Sequence, residues 1–586
     1  MYIRKSVLYA EQEDISGETS TETIMKKLIY MILLIACFTL FAKSNNLASI
    51  TIHGVAGKVE ANVEKRLSEL QKLKPLSQFS LEELKEQVIQ AVQPFGYFKA
   101  EAILQRPNTQ QLIISIHPGP QIIISKLKME VIGEGSHNPI LRDAIKNVPL
   151  KKGNPLFTEQ YEQTKLKLLD SAETQGYMRA GFQKSEILID EDNYTAEITI
   201  ILDTGPLYYF GQIQFNPTYI NPKLLHRFVP FHPGQVYSGD KILKLNNDLS
   251  NSGYFSSVLV KPQITENPTT PVQIYTEPVS KYSYTLGAGY GTDTGPRGRA
   301  ALHVIPVNRE GHKFNLMAQG SFVQNALQAQ YVVPGKNPVN DQYTLTGNFS
   351  NLSYSAGYSN SFLISLAQQH RVTNYQRTLS VNTLYEGFHY ALQQNTKQFL
   401  LYPKASLTFS KTQDLLFSPS GYNITLNALA ANQALLSTIN FAQASVDMKA
   451  AMRIEPIRLR LYGHAIQGAT AINNINEQPL SLALLLGGAD NLKAFSFNSI
   501  GPGRVISYAG FEIQKETKKN WYLVAFYDAG AVYNPSPLAS YYDAGGGLMW
   551  VSPIGPIKVG LAQEINKRWQ RNSSSPRLVI SMGPDL

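Results

Sequence analysis

From about Tyr282 to the C-terminus the chain has no helical periodicity; apolar and polar residues alternate strictly over roughly eight to twelve residues at a time. Tyr343–Ser350 places Tyr343, Leu345, Gly347 and Phe349 on one face and Thr344, Thr346, Asn348 and Ser350 on the other. Tyr422–Leu429 repeats the pattern, and so does Ile457–His464, where Arg458, Arg460, Tyr462 and His464 oppose Ile457, Leu459, Leu461 and Gly463. A period of two is that of a β-strand with unlike faces. A soluble sandwich alternates too, but twin arginines flanked by purely aliphatic positions suit a strand set between lipid and a polar lumen. Eleven such strands precede an irregular stretch at Gln478–Arg504 and five follow it. Sixteen strands in about 306 residues leave roughly 19 residues per strand and loop, which fits tilted membrane strands of about 9–11 residues. An even count closed into a barrel leaves no sheet edge in hydrocarbon. The expectation is a transmembrane antiparallel β-barrel of about 16 strands over residues 280–586.

Composition supports this. Charged residues make up 17% of the 586, below the roughly 25% usual for soluble domains, yet the mean hydropathy is only −0.17. The 32 Tyr and 25 Phe exclude a disordered chain. One stretch alone approaches the length and apolarity of a membrane helix, which excludes a multi-span helical protein.

The first half is a different material, organised by a repeat. QPFGYFKAEAI, ETQGYMRAGF and NSGYFSSVLV carry Gly96-Tyr97, Gly176-Tyr177 and Gly253-Tyr254, spaced 80 and 77 residues apart. Each Gly-Tyr follows an amphipathic helical stretch, as in SLEELKEQVIQAVQPFGY, and precedes a strand-like one. Glycine just past a helix adopts positive φ cheaply and caps it, and the tyrosine can pack back beneath. Strands open each unit at Ile50–Ile52, Leu127–Ile132 and Phe210–Phe215. The unit reads β-α-α-β-β, three in tandem at residues 46–119, 120–206 and 207–279. The fold class expected is therefore α+β followed by a membrane barrel.

The N-terminus fixes a compartment. From Met25 the chain reads MKKLIYMILLIACFTLFAKSNN: a short basic start, an apolar run to Phe41, then small and polar residues. That is the layout of a secretory signal peptide over residues 25–42, with a membrane anchor as the alternative. Residues 1–24 are polar and unpatterned and read as a mis-called upstream extension. Cys37, the sole cysteine, lies inside the signal segment, so a mature chain has none and carries a net charge of about +10.

Several segments resemble the outer-membrane protein-assembly superfamily that includes BamA and TamA. GGADNLKAFSFNSIGPGR (Gly487–Arg504) is similar to the family's inward-folded loop, AFYDAGAVY (Ala525–Tyr533) to its F-x-D-x-G strand, and GGGLMWVSPIGPIKVGLA (Gly545–Ala562) to its penultimate hairpin. Phe228–Val260 matches the pattern of a polypeptide-transport-associated (POTRA) domain. The ending RLVISMGPDL and the count of three such domains look more like TamA than BamA, which carries five. The family's loop carries Arg-Gly-Phe/Tyr at its tip; here the aligned residues are Lys493-Ala494-Phe495. The resemblance implies a lock pairing Lys493 with Asp528, beside Phe526 and Gly530. Lysine keeps the charge and loses the two-pronged fork, and Arg504 is the alternative partner.

No enzymatic constellation is present: no G-x-S-x-G, no H-E-x-x-H, and ten histidines without ligand spacing. No cofactor or metal is expected. The positive charge is spread along the chain, which suits anionic lipid headgroups and not nucleic acid. The resemblance implies a mechanical role: assembling or translocating β-barrel and autotransporter-type clients, with client strands adding to POTRA edges and to a barrel seam. That seam lies between the first strand (Tyr284, Leu286) and the last (Leu578, Ile580), with Leu286 near Ile580; Gly583 and Pro584 shorten the last. Implied partners are unfolded clients, membrane lipids and a TamB-like periplasm-spanning protein. The implied location is the bacterial outer membrane, with POTRA domains in the periplasm. The alternative is a two-partner-secretion-type exporter of one large substrate.

Overall fold

The computed structural model describes residues 49–108, 111–391, 393–414, 416–534, 539–553, 555–565, 575–584 and 586. The extension and signal peptide expected at residues 1–42 lie outside the described residues. The chain divides into two compact units, one ending at Glu173 but including Arg179–Pro206, the other comprising Thr174–Met178 and Leu207–Leu586.

The first unit holds two small mixed sheets. In the first, β1 (Ser49–His53) pairs in parallel with β3 (Gln111–His117), which pairs antiparallel with β2 (Glu101–Asn108). Helices α1 (Lys58–Leu73) and α2 (Leu81–Val92) supply Val63, Leu67, Leu84 and Val88 to a core shared with Leu112 and Ile114. Ser80 starts α2 with a reciprocal cap: Glu83 N–H donates to Ser80 Oγ (3.1 Å) and Ser80 N–H to Glu83 Oε2 (2.7 Å). The donated backbone hydrogen bond holds the Glu83 carboxyl below its usual range. In the second sheet, β4 (Ile123–Ile132) lies parallel to β6 (Thr195–Asp203), flanked by β5 (Gly181–Asp190) and by helices α3 (Pro139–Lys146) and α4 (Thr158–Thr174).

The second unit contains the third sheet and the barrel. Its sheet runs β7 (Tyr209–Phe215), β9 (Thr269–Pro278), β8 (Phe255–Pro262), covered by α5 (Pro222–Leu225) and α6 (Gly239–Ser250). Phe210 stacks on Phe231 at 3.7 Å in a core closed by Leu224, Leu245, Leu249 and Val272. Gly96, Gly176 and Gly253 all have positive φ (88°, 94° and 78°); Tyr97 is half-buried, and Tyr177 and Tyr254 are buried.

Sixteen strands then form one antiparallel sheet in chain order. They are β10 (Tyr282–Gly291), β11 (Gly295–Val304), β12 (Lys313–Gly320), β13 (Gln324–Pro334), β14 (Asp341–Tyr354), β15 (Gly357–Val372), β16 (Tyr375–Tyr390) and β17 (Thr396–Thr412). After them come β18 (Gly421–Ala431), β19 (Phe441–Ile454), β20 (Leu459–Ile472), β21 (Val505–Lys518), β22 (Trp521–Tyr533), β23 (Ala539–Ser552), β24 (Gly555–Ile565) and β25 (Arg577–Met582). Eleven strands precede the long loop and five follow it, as the alternation predicts. Outward positions such as Leu345, Phe349, Phe362, Ile364 and Leu366 are exposed, because the barrel leaves its apolar face to lipid.

One strand start differs from expectation. Arg458 does not lie on β20 but ends a short 3-10 turn with φ 48°, so the twin arginines split. Arg460 alone turns inward, fully buried, donating to Gln514 Oε1 (2.7 Å) and to the carbonyls of Ser418 (3.0 Å) and Pro419 (3.2 Å).

The third module is fastened to the barrel rim. Tyr254 OH donates to Gly311 O (2.6 Å), and Lys313 Nζ donates to Ser252 O (2.6 Å) above the Tyr254 ring. Burial pushes the Tyr254 hydroxyl well above its usual pKa, so it remains a donor. Gly311 has φ +75°, and a Cβ there would meet Leu224 Cδ2 at 2.2 Å, so only glycine lets the turn approach this closely. Tyr254→Phe leaves the Gly311 carbonyl without this partner and is expected to weaken the joint by about 1–2 kcal/mol. Hydrogen exchange should then quicken in α6 and not in α2; unchanged exchange in α6 would show that the bond contributes nothing.

Candidate functional site

The loop between β20 and β21 folds into the lumen. Its base is held by Tyr390 OH, which donates to Gln478 O (2.9 Å), and by Glu386, which accepts from Ser481 N–H (3.0 Å) and Ser481 Oγ. Gln443 Nε2 donates to Leu482 O (3.0 Å). Its tip reaches the wall formed by β21, β22 and β23. Lys493, buried, places Nζ 2.9 Å from Asp528 Oδ2 and 3.4 Å from Glu512 Oε1, with the ammonium 4.6 Å from the Phe526 ring centroid. Asp528 Oδ1 accepts from Tyr508 OH (2.8 Å).

The wall would be electrostatically unfavourable without the loop. Asp528 and Asp543 sit directly opposite each other on β22 and β23, and both are fully buried. Like charges at paired positions repel. The loop answers both, with Lys493 on Asp528 and the Ala494 N–H on Asp543 Oδ2 (2.8 Å). Glu512 is met by Lys493, by Lys558 Nζ (2.9 Å) and by Gln514 Nε2 (2.7 Å). Gly530 makes the seat possible, since a Cβ there would strike Leu492 of the loop at 2.6 Å. Phe495 packs edge-on against Tyr541 at 5.4 Å.

The structure therefore brings Lys493, Phe526 and Asp528 together, with Gly530 beneath the loop. Arg504 is not the alternative partner: its guanidinium donates to Asn473 O (2.5 Å) at the loop's other end. Glu512, Asp543, Lys558 and Tyr508 escaped the sequence reading. Their signal was present as polar residues at inward positions of apolar strands, but which strands meet is not written in any one segment.

The seam is shorter than expected. β25 spans six residues and ends at Met582; Gly583, at φ +134°, bonds back to Pro556 O (3.1 Å). Thr292 N–H donates to Ile580 O (3.4 Å), and Ile580 N–H to Thr292 Oγ1 (3.1 Å). Continuing that antiparallel register sets Met582 opposite Tyr290, so β25 stops where most of β10 begins. Leu286 consequently does not face Ile580; it lies six residues from Thr292, about 20 Å along the strand. Tyr282–Ala288 is exposed on both faces, including Tyr284 and Leu286, and Leu578 is exposed on β25.

Fold and site define a class: a sixteen-stranded membrane barrel with tandem β-α-α-β-β modules before it and a long loop seated in its lumen. Residues 308–585 match the Omp85 superfamily domain, residues 49–118 the POTRA domain TamA domain 1, and residues 208–278 the POTRA domain described as surface antigen variable number repeat. The chain thus carries an Omp85 superfamily domain preceded by POTRA domains, a composition consistent with a TamA-type member of the BamA/TamA superfamily. Among solved structures, BamA from Haemophilus ducreyi lacking POTRA domains 1–3 superposes with a TM-score of 0.65 and 15% identity. That match covers 79% of this chain and 98% of the other, a likeness of fold. CdiB from Escherichia coli and CdiB from Acinetobacter baumannii each overlap 90% of this chain, and 99% and 98% of their own, with TM-scores of 0.44 at 12% and 11% identity. The superfamily is one of outer-membrane assembly and translocation, not a known enzyme family.

Proposed function

We propose that this chain inserts or exports β-barrel and autotransporter-type clients at the bacterial outer membrane, acting by templating and not by catalysis, without a cofactor. The observation that carries the reading is β10: seven consecutive residues, Tyr282–Ala288, are exposed on both faces beside a last strand too short to cover them. An uncovered edge in hydrocarbon offers backbone groups that a client strand can satisfy. The modules support the same chemistry. Each sheet ends on an antiparallel edge strand bearing one outward aliphatic residue, Ile103 on β2, Leu188 on β5 and Leu259 on β8, each more than half exposed. An extended client can add there by backbone hydrogen bonding with a side chain on the aliphatic spot. In this reading the modules lie in the periplasm, where a TamB-like periplasm-spanning protein is the partner, and lipids surround the barrel.

The test is reconstitution. The full chain in lipid vesicles, given an unfolded barrel client, is expected to raise the protease-protected client fraction several-fold over empty vesicles. The same vesicles given a large secreted filamentous substrate should show no uptake. The opposite pair of results would favour a dedicated exporter and overturn the proposal.

A further inference from the structure

Asp293 lies in the turn between β10 and β11, on the first-strand side of the seam, yet the partners of its carboxylate come from the other side. Oδ1 accepts from Arg577 Nη2 of β25 at 2.7 Å, and Oδ2 accepts from the Ala489 N–H of the lumen loop at 2.6 Å. Arg577 is itself tied to the loop, since Nη1 donates to Lys493 O (3.1 Å) and to Phe495 O. The side chains of Asp293 and Arg577 are 12% and 21% exposed, so the pair is largely withdrawn from water. The other seam bonds among the described residues lack an ion pair: the two Thr292–Ile580 bonds, and Arg297 Nη2 to Met582 O at 3.3 Å. Charge-assisted bonds of this kind are roughly twice as strong as neutral ones.

We propose that Asp293 is a catch by which the seated loop holds the first hairpin against the last strand. This rests on the reading of the seam as the working site and adds a regulator to it. The anchors are unequal. On the C-terminal side the loop is fixed to β21, β22, β23 and β25 through Lys493, Ala494 and Arg577. On the first-strand side it is fixed through the Asp293 carboxylate. The seam therefore parts at Asp293, and the loop remains with the C-terminal strands. Unseating the loop removes the Ala489 donor and the carbonyls that aim Arg577, so it also frees the hairpin. Loop occupancy sets the seam, whereas seam opening leaves the loop in place.

The test uses the full chain in lipid nanodiscs, with spin labels replacing the exposed Tyr284 and Leu578, and, in separate preparations, Ala494→Cys as a maleimide-reactive loop probe. Asp293→Asn is expected to raise the long-distance population relative to the short one about tenfold or more, because a buried charged partner has been neutralised. Labelling at position 494 should not change. Lys493→Ala is expected to shift the distances in the same direction while speeding labelling at position 494. Unchanged distances in Asp293→Asn, or an unseated loop over an unmoved seam in Lys493→Ala, would overturn the catch. Retention of the heat-modifiable gel shift establishes that each variant has folded. Client assembly is read separately: an opened seam with unaltered assembly would leave the catch standing and remove the seam's role in assembly.

Discussion

Lys493→Ala is expected to destabilise the barrel by about 3–5 kcal/mol, the range for removing one partner of a buried ion pair. The size follows from what remains. Asp528, Asp543 and Glu512 would crowd one patch of wall, with Lys558 still paired to Glu512. Part of the loss comes from the buried aliphatic stem, so Lys493→Met, which keeps a stem of similar length, isolates the charge together with the ammonium's contact on the Phe526 ring. Adding Asp528→Asn to Lys493→Met should recover part of the loss, because one buried carboxylate is then neutral. The measurement is the temperature at which the compact gel band converts to the unfolded one, with urea unfolding in detergent alongside. A midpoint within error of the parent for both single variants would show that the Lys493–Asp528 pair does not hold the loop.

Cross-linking Thr292→Cys to Ile580→Cys is expected to reduce client assembly to the level of empty vesicles, with recovery on reduction. These residues already exchange backbone and side-chain bonds across the seam, so a disulfide requires little movement. It would join the strands at the top of β10, above the uncovered Tyr282–Ala288 edge, and so prevent the two sides from parting. Leu286→Cys with Ile580→Cys is the matched control, since about 20 Å along the strand cannot be bridged. Full assembly with the Thr292–Ile580 link formed would exclude lateral opening, and the free β10 edge would then need another role.

Much of the architecture was legible because it depends on local periodicity. The alternation in Tyr343–Ser350 is a two-residue period that only a strand with one apolar face satisfies, and it yields the strand count on either side of Gln478–Arg504. Gly96, Gly176 and Gly253 were readable for the same reason, since a glycine after an amphipathic helix is a local signal. Arg458 was misplaced because alternation cannot tell a strand's first residue from the turn that feeds it. Leu286 and Ile580 were wrongly set opposite each other because register between strands nearly 300 residues apart depends on how the whole barrel closes.

The sequence by itself determined the modules, the barrel and the loop, because helix and strand periods are properties of contiguous residues. The site was decided by tertiary structure. Asp543 opposite Asp528, Lys558 on Glu512 and Arg577 on Asp293 unite residues from separate strands, and no segment carries the pairing. A buried charge persists only where a partner arrives from elsewhere in the fold, so the residues that fasten the loop and seam become visible once the barrel is closed around them.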